Sequence, residues 1–175
     1  MFHVTTNSYV WKSPLMATID NELLRLGSVP LHLRWETLKL LPDGMHFTRP
    51  SQIRFTKLLG AELQKLHLAS PIHILTDSTI GYYDYSINGS YTGWATRSIK
   101  QDLESLLNVA VTVDAICGSG FVAMAHTSNN FKARISHIPE GSSLVLVGGW
   151  NDEGHKHVKE AVIGFCKAMS RFNNL

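Results

Sequence analysis

The chain has 175 residues, 44% of them hydrophobic and 17% charged, with a formal net charge of +2. That length suits one domain with a substantial core, and the near-neutral balance argues against a chain built to bind nucleic acid through its charge. No stretch approaches the ~18 apolar residues of a membrane span, and the start, MFHVTTNSYVWKSP, has no basic region followed by a long apolar core, so neither a span nor a secretion signal is expected.

Residues Phe2–Val10 alternate weakly and predict a short strand that opens into a loop around Trp11–Pro14. Leu15, Ile19, Leu23, Leu24 and Leu26 follow at helical spacing, with Ser13 as N-cap before Pro14 and Gly27 as terminator. Val29–Leu33 reads as a strand and Trp35–Pro42 as loop or a turn of helix. After the loop LPDGMHFTRPSQ, Ile53, Leu58, Leu59, Leu63 and Leu66 mark a second amphipathic helix over Ser51–Leu66. Ile72, Ile74 and Leu75 form a short buried strand that stops at Thr76-Asp77-Ser78.

The segment Gly81–Tyr91, rich in tyrosine, serine, asparagine and glycine, predicts an exposed loop. Helical periodicity resumes over Trp94–Leu107, and Val109–Ile116 is a second apolar strand, ending at Cys117-Gly118-Ser119-Gly120. Phe121–Asn130 predicts helix running into loop, and Lys132–His137 is ambiguous. Ser143–Val147 is a third buried strand, stopping at Gly148-Gly149-Trp150-Asn151-Asp152, and Val158–Phe172 is a final amphipathic helix. Strands alternating with helices predict an α/β fold, a mostly parallel sheet with helices on both faces, in one domain. Cys117 and Cys166 are far apart and predict free thiols, and the scattered histidines have no metal-type spacing, so neither metal nor cofactor is expected.

In a parallel sheet the ends of these strands lie along one edge, where α/β proteins bind ligands. Each polar cluster has an ordinary structural reading: Asp77-Ser78 as a turn or cap, Asp43 as an Asx turn, Gly118 as a glycine turn, Asn151 as a helix cap. Together they supply what acyl transfer needs. Ser78 is a nucleophile, Asp43 and His46 are a carboxylate and an imidazole three residues apart, Gly118 can bare a backbone N–H, and Asn151 carries a side-chain amide.

In these blocks the chain resembles the SGNH or GDSL-type serine esterases. Thr76-Asp77-Ser78 is similar to the first family block, Cys117-Gly118-Ser119-Gly120 to the second, Gly149-Trp150-Asn151-Asp152 to the third and DGMHFTRPSQ, from Asp43 to Gln52, to the last. The resemblance implies a three-layer α/β/α sandwich of the flavodoxin-like kind, Ser78 as nucleophile, His46 as base, Asp43 orienting it, and an oxyanion hole from the Ser78 N–H, Gly118 and Asn151, with Gly120 as the alternative glycine. Thr76 stands where the family's first block usually opens with glycine. The last block precedes the first, so residues 1–67 correspond to the family's usual C-terminal part and 68–175 to its N-terminal part, which implies a circular permutation.

The expected activity is therefore hydrolysis of a carboxylic ester through an acyl-serine, most simply a short acyl group on a carbohydrate. Tyr82 and Trp150 are candidates to stack on a sugar ring, with core packing as the competing reading for each. The same triad serves an acyltransferase, a lipase or a thioesterase, and the same edge serves a non-catalytic module binding a glycan, protein or nucleic acid. The expected partner is a small-molecule or glycan ester.

Overall fold

The computed structural model describes residues 1–4, 13–33, 37–40, 47–68, 70–78 and 94–172. Ser13 starts the first helix, α1 (Pro14–Arg25), by accepting the Met16 N–H on its hydroxyl at 3.2 Å, and the missing N–H of Pro14 costs nothing in that turn. Gly27, at φ +84°, follows in the left-handed conformation that a Cβ disfavours. Thr48 precedes α2 (Arg49–Gln64), with Pro50 in its first turn, two residues ahead of the expected start at Ser51. The helices α3 (Trp94–Leu107) and α4 (Val158–Phe172) have the expected bounds.

Among the described residues five strands form one sheet: β1 (Phe2–Val4), β2 (Val29–Leu31), β3 (Ile72–Thr76), β4 (Val111–Ala115) and β5 (Ser143–Val147). β2 ends two residues before the expected Leu33, and residues 5–10 of the first predicted strand lie outside the described part. The order is β2-β1-β5-β3-β4, with every pair parallel. The period of two along each strand divides the core. Ile72, Ile74, Val145 and Val147 meet Phe55, Leu59 and Leu63 of α2 and Ile99 and Leu103 of α3. Leu75, Leu144 and Leu146 belong to the opposite cluster, with Met16, Ile19 and Leu23 of α1 and Val162 and Phe165 of α4. Two helices thus cover each face, an arrangement compatible with a three-layer α/β/α fold.

This topology puts a switch point at the end of β3: from β3 the chain moves to β4 on one side, then crosses back to β5 on the other, the position in a parallel sheet where ligands bind. The expected helix over Phe121–Asn130 does not form. That segment is turns and a short 3₁₀ helix, Ala125–Thr127, because Met124 and Ser128 adopt left-handed conformations that an α-helix does not accommodate; the Asp152 carboxylate accepts the N–H groups of Phe121, Val122 and Ala123 ahead of them. His155 and His157 precede α4 and are not on a helix.

Among the described residues two imidazoles are buried in the sheet. His3 in β1 is 1% exposed; its Nδ1 lies 2.8 Å from Ser28 Oγ, while Nε2 stands 3.7 Å from Asp20 Oδ1. Burial, with His32 adding repulsion, holds the His3 pKa down at about 4 from an ordinary 6.5. His73 in β3 is lowered in the same sense, chiefly by burial, with Asp114 opposing. A histidine with a depressed folded pKa leaves the unfolded chain holding the extra proton, so stability is full above about pH 6.5 and is lost as pH falls toward the folded value. From His3 alone a loss of about 2 kcal/mol is expected by pH 5. Urea unfolding at pH 7 and pH 5 checks this: the wild type should lose more stability between the two than His3→Gln, and parallel losses would refute the assignment.

Candidate active site

The edge is built from the end of β3 outward. Asp77 is fully buried directly after Thr76, and Ser78 is half-buried in the turn that follows. Opposite them, the chain leaves β5 through Gly148 at φ +147° and Gly149 at φ +114°. A Cβ on Gly148 would lie 2.8 Å from both Asp77 Oδ2 and Phe131 Cζ, so only glycine lets the ends of β3 and β5 close on each other. The chain then enters a 3₁₀ turn, Trp150–Asp152, and the Asn151 side chain faces the gap. Its Nδ2 donates to Asp77 Oδ2 at 3.1 Å and to the Ser119 carbonyl at 2.9 Å. One amide therefore ties together the three loops that carry Ser78, Gly118 and Asn151. To donate to a substrate oxygen, one of its hydrogens has to leave Asp77 or Ser119.

Gly118 takes φ +72°, and among the described residues its N–H meets no acceptor. Next to it Ser119 is fully buried; its hydroxyl donates to the Asn129 carbonyl at 2.7 Å and accepts from Arg134 Nη2 at 2.9 Å. Gly120 rests against Asp152, whose buried carboxylate accepts the N–H groups of Phe121 at 2.8 Å, Val122 at 2.8 Å and Ala123 at 3.0 Å. A Cβ on Gly120 would lie 2.5 Å and 2.6 Å from the two carboxylate oxygens. Gly120→Ala is accordingly expected to lower stability by roughly 1–3 kcal/mol, the range for overpacked sites. In Gly118→Ala the new Cβ makes only ordinary van der Waals contact with the Met124 side chain, so the cost is backbone strain. Thermal unfolding of both variants should give the larger drop to Gly120→Ala, and the reverse order would contradict the packing.

Arg134 is a residue that sequence reasoning missed. It is fully buried in the 3₁₀ turn Ala133–His137 and reaches under the whole edge. Nη1 donates to the Asp114 carbonyl at 3.2 Å and to its Oδ1 at 2.9 Å, and Nη2 donates to the Thr76 carbonyl at 3.0 Å as well as to Ser119. It thus clamps the ends of β3 and β4 and the loop bearing Gly118, while its guanidinium stacks on Phe131. Burial lowers its pKa from the ordinary value, with Asp114 opposing that shift. Asp114 also binds His137 Nδ1 at 2.9 Å. The one sequence signal was Asp114, a carboxylate breaking an apolar strand, which demands a cation nearby.

Of the other residues singled out in the sequence, Asp43, His46 and Tyr82 lie outside the described residues. Trp150 is half-buried and packs against the apolar clusters on both faces of the sheet, as its core-packing reading expects. Cys117 is exposed and Cys166 buried, and the two form no disulfide. Among the described residues no cluster of three or more histidine, cysteine or acidic side chains is arranged to hold a metal ion, and no helix is long and apolar enough to cross a membrane. Chemically, the edge offers a hydroxyl on one loop, an N–H open to an acceptor on the second and an amide on the third. Set against models of protein families, curated proteins and solved structures, the chain matches none.

Proposed function

We propose that this protein is a circularly permuted SGNH-type serine hydrolase acting on carboxylic esters, a short acyl ester of a carbohydrate being the first candidate. The observation that carries the reading is the Asn151 amide bridging Asp77 and Ser119, which gathers three of the four blocks at the strand crossing. The sheet order adds support. β1 lies beside β5 and parallel to it, so a chain joining the end of α4 to the start of β1 would connect neighbouring strands, as the unpermuted family order requires.

In this mechanism the His46 imidazole, oriented by Asp43, removes the Ser78 hydroxyl proton as Oγ bonds to the ester carbonyl carbon. The carbonyl π electrons move onto oxygen, where the N–H groups of Gly118 and Ser78 hold the charge. Collapse of that intermediate breaks the bond to the leaving alkoxide, which takes the proton from the imidazolium. Water then repeats the sequence and releases the acid. Asn151 joins the oxyanion hole when one of its hydrogens turns from Asp77 or Ser119 to the substrate.

The engagement of both Asn151 hydrogens by the protein favours a second reading, a non-catalytic module that uses the same edge for binding. Fluorophosphonate labelling followed by peptide mapping separates the two. Stoichiometric modification of Ser78 that requires His46 supports the hydrolase, and no modification of the folded protein supports the module.

A further inference from the structure

Met124 has φ +64°, a conformation uncommon for a long side chain and tolerated where the surroundings enforce it. Here they do so from both directions. Upstream, Asp152 holds the N–H groups of Phe121, Val122 and Ala123. Downstream, the Met124 carbonyl accepts the N–H groups of Thr127 at 3.1 Å and Asn129 at 3.2 Å and the Thr127 hydroxyl at 2.9 Å. The thioether is thereby aimed at Gly118. Its Sδ and Cγ lie 3.9 Å and 4.0 Å from the point where a Cβ of Gly118 would sit, and among the described residues they are the atoms that reach that point.

We propose that Met124 is the wall that limits acyl-chain length. The inference rests on the esterase reading, in which the Gly118 N–H holds the substrate's carbonyl oxygen. A hydrogen-bonded oxygen sits ~2.9 Å from the nitrogen and its carbon ~4 Å away, so the acyl group is held around the same residue that the thioether borders. Acetyl fits beside such a wall, and a longer alkyl chain has to displace it. Beyond Met124 the segment 125–128 is exposed, so removing the side chain opens a way out toward solvent. The thioether is apolar and adaptable, suited to an alkyl group rather than a charged one.

The test compares kcat/KM for p-nitrophenyl acetate, butyrate and hexanoate in the wild type, Met124→Ala, Met124→Gly and Ser78→Ala. Glycine takes φ +64° without strain, so Met124→Gly removes the wall while keeping the loop. The hexanoate-to-acetate ratio is expected to rise about tenfold or more in both Met124 variants, comparable to the discrimination one methylene supplies in a fitted pocket. A Ser78-dependent activity whose chain-length ratio stays unchanged in both variants overturns the wall and leaves the esterase reading standing. Absence of Ser78-dependent hydrolysis in the folded protein overturns both.

Discussion

Ser78→Ala is expected to reduce kcat/KM for p-nitrophenyl acetate by on the order of 10,000-fold while leaving the fold intact. The substitution removes one oxygen from a half-buried turn residue and leaves Asp77, which carries the buried Asn151 contact, in place. Circular dichroism and the unfolding midpoint should therefore match the wild type. His46→Ala should fall by a comparable factor, because nucleophile and base act as a unit, and the double variant should be little worse than either alone. Additive losses would mean that the two residues do not share a step. Equal rates in Ser78→Ala and wild type would remove Ser78 from the reaction and leave the binding module as the better account of this edge.

The second large effect is on stability. Asp152→Ala should destabilise the protein by roughly 3–5 kcal/mol, because the carboxylate is the buried acceptor for three consecutive backbone N–H groups, and each buried donor left unmade costs ~1–3 kcal/mol. Entering water satisfies part of that demand, which keeps the expected value below the simple sum. Asp152→Asn should recover much of the loss. Its carbonyl oxygen can still accept from Val122 and Ala123, while its NH₂ faces the Phe121 N–H and cannot accept. The loop that Asp152 holds also carries Gly118 and Met124, so activity in Asp152→Asn should fall further than stability does. Chemical denaturation of the two variants beside the wild type gives the order Ala below Asn below wild type. An Asp152→Ala protein as stable as the wild type would show that the loop does not depend on the carboxylate.

Much of the architecture was legible because it rests on local chemistry. The serine cap and Pro14 start α1, Gly27 ends it, and the runs at Ile72–Leu75 and Ser143–Val147 are too short and too β-branched or aliphatic for anything but buried strands. Where periodicity misled, the backbone conformation was responsible. Phe121–Asn130 has the composition of a helix start, yet Met124 and Ser128 take left-handed conformations that interrupt an α-helix. The entry to that segment is fixed by Asp152, some thirty residues on, which accepts the N–H groups of Phe121, Val122 and Ala123, and no window along the chain contains both partners of that contact.

The candidate site divides in the same way. Residue types and their position after apolar runs singled out Ser78, Gly118 and Asn151, because a strand's end exposes backbone and side chain whatever its neighbours are. The sequence by itself thus determined the alternation of strand and helix and which loops carry polar chemistry. Only the tertiary structure decided that β3 lies between β4 and β5, which brings Asp77, Ser119 and Asn151 within hydrogen-bond distance although they are up to 74 positions apart. It alone decided that Arg134 is fully buried under that edge rather than solvated, and that Met124 faces Gly118. The physical reason is range: capping, propensity and hydrophobic period act over a few residues. The charge pairing, backbone capture and steric closure that shape this edge depend on which strands become neighbours.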